Sequence, residues 1–152
     1  MNPSQTNALS NREISVRRIW LTIPIAAVIA SSANVIFYFF VTRFLGEPLL
    51  FPEQFPPPET SPMSVNDVIL FSVIFSLGAG MVFVLIASFS RRPIRTFLIT
   101  STIVLILSSA LPLKAPSPPV TLTAKLTLVT MHIIGAIAVV GILVGLGQPK
   151  RS

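Results

Sequence analysis

The sequence predicts an all-α bundle of four transmembrane helices, and three observations predict it. Four apolar runs, at about residues 19–41, 68–89, 94–111 and 122–146, reach or approach the length that crosses a bilayer. Apolar residues make up 52% of the 152 and charged residues 11%, which leaves too little polar surface for a soluble domain. The basic residues stand at the ends of the apolar runs, which is how a membrane protein is oriented. The net charge of +6 therefore implies no nucleic-acid partner, since no basic patch is interleaved with aromatics. The partner it does imply is the lipid bilayer. The chain has no cysteine, which excludes disulfides, thiolate metal sites and thiol chemistry.

Residues 1–18 are polar, lack an apolar period and are expected to form a disordered cytoplasmic tail ending at Arg17-Arg18. The first span, 19–41, carries Trp20 and Tyr38 near its two ends, where amphipathic rings favour the interface. A cleaved signal peptide is the rival reading, with Ala30-Ser31-Ser32 as a loose cleavage site. The apolar run continues well past that site to full spanning length, which favours a retained span. Pro24 lies near the helix start, where a lost backbone bond costs least.

Residues 44–63 form the longest loop. Pro48, Pro52, Pro56, Pro57, Pro58 and Pro62 forbid a regular helix there and favour extended, polyproline-like chain. Leu49, Leu50, Phe51 and Phe55 suit a loop that lies on the membrane surface or lids the bundle. A stiff connector is favoured over a proline-rich ligand for a partner. Ser64 and Asp67 are spaced as a capping box ahead of the second span. Arg91-Arg92-Pro93 is a tight turn with proline suited to the first position of the third span, so spans two and three are antiparallel neighbours. A second proline-rich connector covers 112–119, and Thr121 is placed to cap the fourth span. Residues 147–152 form a short cytoplasmic tail. No internal repeat is evident.

Arg12, Arg17, Arg18, Arg91, Arg92, Arg95, Lys150 and Arg151 share one side of this topology, whereas the other holds only Arg43, Lys114 and Lys125. Positive charge marks the cytoplasmic side, so both termini are expected inside.

Depth along a helix grows by about 1.5 Å per residue, and on that count all four spans offer a polar residue near mid-membrane. Asn34, Ser76, Ser101 and His132 are the candidate polar pocket. An ionisable residue within a span is a functional candidate by default, but histidine, asparagine and serine also bond helices together. The second role is favoured for His132, through Asn34, a serine or a carbonyl. No acid lies deep in any span, so neither a metal site nor a cofactor is expected. Ser72, Ser76 and Gly80 make a small-residue stripe suited to close helix packing, and Gly141 and Gly145 form a GxxxG. The GxxxG serves equally well as a homodimer face or as a contact within the monomer, for instance against the Ser72 stripe. Lys125 either snorkels to the surface or pairs with Asp67. No phosphate-cradling glycine loop, nucleophile elbow or paired carboxylates occur, so the chain is read as not an enzyme.

Three features give the chain a family likeness: Gly46-Glu47-Pro48-Leu49 opening the proline-rich loop, Arg91-Arg92-Pro93 with Phe97, and Met131-His132 followed by small residues. In these it resembles a family of small bacterial four-span membrane proteins of unknown function, over roughly residues 17 to 146. The resemblance implies the topology and a bacterial plasma-membrane location, draws attention to His132, and assigns no activity. The expected function is a non-enzymatic assembly or accessory protein that packs with itself or with another membrane protein. The alternative is a small-solute or proton-coupled transporter with a pocket around His132.

Overall fold

The computed structural model describes residues 16–52, 60–115 and 120–147. Helix α1 (Val16–Phe39) runs into a π turn (Phe40–Phe44) and is followed by strands β1 (Leu50–Pro52) and β2 (Thr60–Pro62). Helices α2 (Val65–Phe89), α3 (Pro93–Lys114) and α4 (Leu122–Gly147) complete the chain. All four helices are long and apolar enough to cross a membrane, so the protein is a four-helix membrane bundle in a lipid environment. We call the side that carries the α2–α3 turn the turn side, and the opposite one the loop side.

Helix α1 is the hub. It packs along both α2 and α4, while α2 and α4 touch each other little. Lipid is as apolar as leucine, so helices associate in it through close packing and polar contacts rather than through a hydrophobic effect. The stripe on α2 supplies the close packing. Ser72, Ser76 and Gly80 are all buried, and a Cβ on Gly80 would lie 2.4 Å from Cγ1 of Ile23 on α1. No side chain fits that gap without moving Ile23. Ser76 is fully buried and donates its hydroxyl to Ser72 O at 2.7 Å, so the polar group is satisfied within its own helix.

Two apolar clusters close the bundle. On the turn side Ile19, Ile23 and Ala26 of α1 meet Phe83, Phe97 and Leu143, with the two phenylalanine rings stacked at 4.4 Å. On the loop side Val41, Leu49, Met63 and Val68 meet Ala124, Leu128 and Met131. Leu49, only 2% exposed, and the buried Met63 seat the described parts of the long loop on the bundle end as a lid. Tyr38 Oη donates to Met63 O at 2.9 Å, Met63 N donates to Leu49 O at 2.7 Å, and Thr121 donates to the Glu47 carboxylate.

The local signals are reproduced in part. Ser64 and Asp67 form the capping box, Pro93 lies in the first turn of α3, and Thr121 Oγ1 accepts from Ala124 N at 3.0 Å to cap α4. The described loop residues 50–52 and 60–62 are extended and pair β1 with β2 in an antiparallel ribbon, and residues 53–59 lie outside the described residues. Pro52 and Pro62 stand at the ribbon's ends, where a missing donor is tolerated. Helix α3 passes the expected stop at residue 111 and includes Pro112, since a proline in the final turn forfeits a single backbone bond. The expectations for the tails at 1–15 and 148–152, for Pro56-Pro57-Pro58 and Phe55, and for residues 116–119 lie outside the described residues. So do those for the charges of Arg12, Lys150 and Arg151.

Gly80→Val should destabilise the bundle by about 1–3 kcal/mol, the usual cost of overpacking a tight contact. Thermal unfolding in mild detergent measures it, and adding Ile23→Ala should recover most of the loss. An unchanged melting temperature in Gly80→Val would contradict the α1–α2 packing.

Candidate functional site

Helix α3 is the least supported of the four. Only 6% of its apolar stretch is buried, against 33% for α1. It lies chiefly on α4 and is held to α2 near the tight turn, by the Phe83–Phe97 stack and a 3.0 Å hydrogen bond between the Ser90 and Thr96 hydroxyls. Away from that turn a groove of about 610 Å³ opens between α2 and α3. Its walls include Phe75, Gly78 and Val82 of α2 and Ser101, Val104 and Ser108 of α3. Ala30 and Asn34 of α1 and Met131, His132 and Gly135 of α4 complete the lining.

Asn34 is the central polar residue of this groove. It is 7% exposed and donates from Nδ2 to Ser72 Oγ at 3.0 Å, which joins α1 to α2. Gly135 leaves room for the amide, because a Cβ there would lie 3.3 Å from Nδ2. The other amide atom, Oδ1, is buried and has no partner. Leaving such an acceptor unsatisfied costs about 1–3 kcal/mol, a cost the bundle itself carries, since the atom is sealed from the groove. Ser31 Oγ is the second buried atom of this kind among the described residues, but Ser31 does not line the groove.

His132 is partly buried and has Phe75 beside it, with ring centroids 6.2 Å apart. Its Nδ1 lies 2.7 Å from Leu128 O, one turn back on the same helix. A carbonyl oxygen only accepts, so Nδ1 carries the proton and Nε2 of the neutral ring is an acceptor. The histidine is thus tied to its own backbone and does not bridge to another helix.

Of the four residues expected to share a pocket, the structure gathers Asn34, Ser101 and His132 along the groove and leaves Ser76 out. Ser76 instead faces the α1 contact, and Ser72, read from the sequence only as a packing residue, takes its place beside Asn34. The reason is the start of α2. The helix begins at Val65 rather than 68, which sets Ser72 about 10 Å from its loop-side end, level with Asn34. Thr100 and Ser108 also line the groove and are not among the candidates the sequence offers.

The remaining candidates are placed as follows. Gly141 and Gly145 are exposed, and no neighbouring atom lies within 4 Å of where a Cβ would stand on either. The GxxxG therefore makes no contact with the Ser72 stripe, which is occupied by α1. Asp67 and Lys125 form no ion pair. The Asp67 carboxylate instead accepts from Ser64 N and Ser64 Oγ, both at 2.7 Å, and the capping box consumes it. Among the described residues no three His, Asp or Glu side chains cluster to hold a metal ion.

No curated protein and no solved structure matches the chain. A family does: residues 14–147, which include all four helices and the groove, match the family of unknown function DUF6069, and the chain belongs to that family.

Proposed function

We propose that this protein is a non-enzymatic assembly protein of the bacterial plasma membrane that packs through the outward face of α4 with a second copy of itself or with another membrane protein. One observation carries this reading. The GxxxG of Gly141 and Gly145 lies on a face that the monomer leaves open, in line with exposed Leu126, Ile133 and Ile137. Small residues on a lipid-facing surface let a second helix backbone approach closely, which is how helices associate in a bilayer. The absence of a nucleophile elbow or of paired carboxylates in the sequence supports a non-enzymatic role.

The transporter reading draws support from the groove, which brings Asn34, Ser101 and His132 together. The groove, however, ends against Leu50 and Met63 on the loop side and against Phe97 on the turn side, which favours holding a molecule over conducting one. The basic residues at the α2–α3 turn and before α1 favour an orientation with both termini cytoplasmic.

The glycine face permits a clean test, because a side chain added at Gly141 or Gly145 meets nothing in the monomer. Gly141→Leu with Gly145→Leu should leave the melting temperature of the monomer unchanged and abolish a defined oligomer or partner complex in native mass spectrometry. Intact assemblies in the double variant would reject the α4 face. Orientation is checked with single cysteines, which are unambiguous in a cysteine-free chain. A cysteine at Ser90 should resist a membrane-impermeant maleimide in intact cells, and one at Gly46 should react with it. The reverse pattern would invert the topology.

A further inference from the structure

The groove between α2 and α3 has the character of a ligand site, independently of whether the α4 face mediates assembly. Its volume of about 610 Å³ falls within the range typical of small-molecule sites. It is long and narrow: along α2 it extends from Val68 to Val82, about 20 Å of helix. Its lining is mainly apolar and, among the described residues, includes no Asp, Glu, Lys or Arg, so a charged ligand would enter uncompensated. Polar groups are confined to a few positions, and one of them presents an acceptor. His132 Nε2 is left to accept once Nδ1 is bonded to Leu128 O, whereas Asn34 Oδ1 is sealed within the packing.

We propose that this groove binds an uncharged, elongated lipophile bearing a hydroxyl, which donates to His132 Nε2 while the apolar body lies along Phe75, Val82, Val104 and Val139. A carbonyl or an ether brings no donor and leaves Nε2 unpaired. A hydroxyl supplies the donor and also accepts from a serine hydroxyl of the α3 wall. Because α3 is so little buried, the ligand enters sideways from the bilayer between α2 and α3, with no passage through the lid. Gly78 keeps that entrance wide, since no atom lies within 4 Å of where its Cβ would be.

The full chain in phosphatidylcholine nanodiscs, with a long-chain alcohol carrying a diazirine in its tail as the probe, tests this. Photolabelling should be saturable and concentrated on groove residues of α2 and α3. Unlabelled hexadecanol should compete for it, and hexadecane should not. His132→Phe should lower the saturable labelling about tenfold, in keeping with the loss of one hydrogen bond to the ligand, while the Asn34–Ser72 bond stays in place. Gly78→Phe, which places a ring in open space within the groove, should abolish labelling while helical circular dichroism and monodisperse elution are retained. Labelling spread evenly over lipid-facing positions of all four helices would overturn the proposal. So would equal competition by hexadecane, which would mean that the groove holds bulk lipid tails and water solvates the imidazole. Unchanged labelling in His132→Phe, or adducts formed only with a second protein, would overturn it as well.

Discussion

The structure depends on how closely α1 and α2 approach. In a bilayer no hydrophobic force drives two apolar helices together, so contact must come from shape and from a few polar bonds. Gly80 supplies the shape by admitting Ile23, and the Asn34–Ser72 hydrogen bond supplies the polar clamp two turns away. With α2 fixed on one side of α1 and α4 on the other, the bundle has a core before α3 is considered. The loop then ties the far end, through Tyr38 to Met63 and Thr121 to Glu47.

Helix α3 bears the consequence. A tight turn and one aromatic stack hold it to α2 at one end, and little else does. It therefore acts as a wall, and the space it encloses is lined by residues that the other three helices have left partly unsatisfied. The same clamp that joins α1 to α2 consumes only half of the Asn34 amide. Packing and the site thus meet at one side chain: the donor of Asn34 stabilises the bundle, its acceptor is sealed within the packing, and the residue borders the groove.

Much of the fold was legible in the sequence because bilayer spanning imposes length and hydropathy on each helix. The capping box at Ser64, Pro93 at the start of α3 and Thr121 at the start of α4 set their boundaries through local hydrogen-bonding chemistry that depends little on tertiary context. The loop ribbon was not legible, since its strands are three residues each and are bounded by prolines that argue against strand. Residues of the site were recoverable only as far as the helix start was. Counting from residue 68 puts Ser76 level with Asn34, but α2 begins at Val65, so Ser72, one turn earlier on the same face, stands there instead. The GxxxG shows a further limit: the motif is visible in sequence, whereas its freedom from any neighbour appears only in the folded bundle.

Helices α2 and α3 are held together at the turn and part away from it, leaving the groove. The direct test is the distance between paired spin labels in lipid nanodiscs, on cysteines introduced at exposed positions of this cysteine-free chain. One pair, Leu85 and Arg95, reports the turn side, and the other, Leu70 and Leu113, reports the loop side. The account predicts a clearly longer separation for the loop-side pair. Equal separations, or a shorter one on the loop side, would mean that α3 closes against α2 along its length and that no groove exists in the membrane.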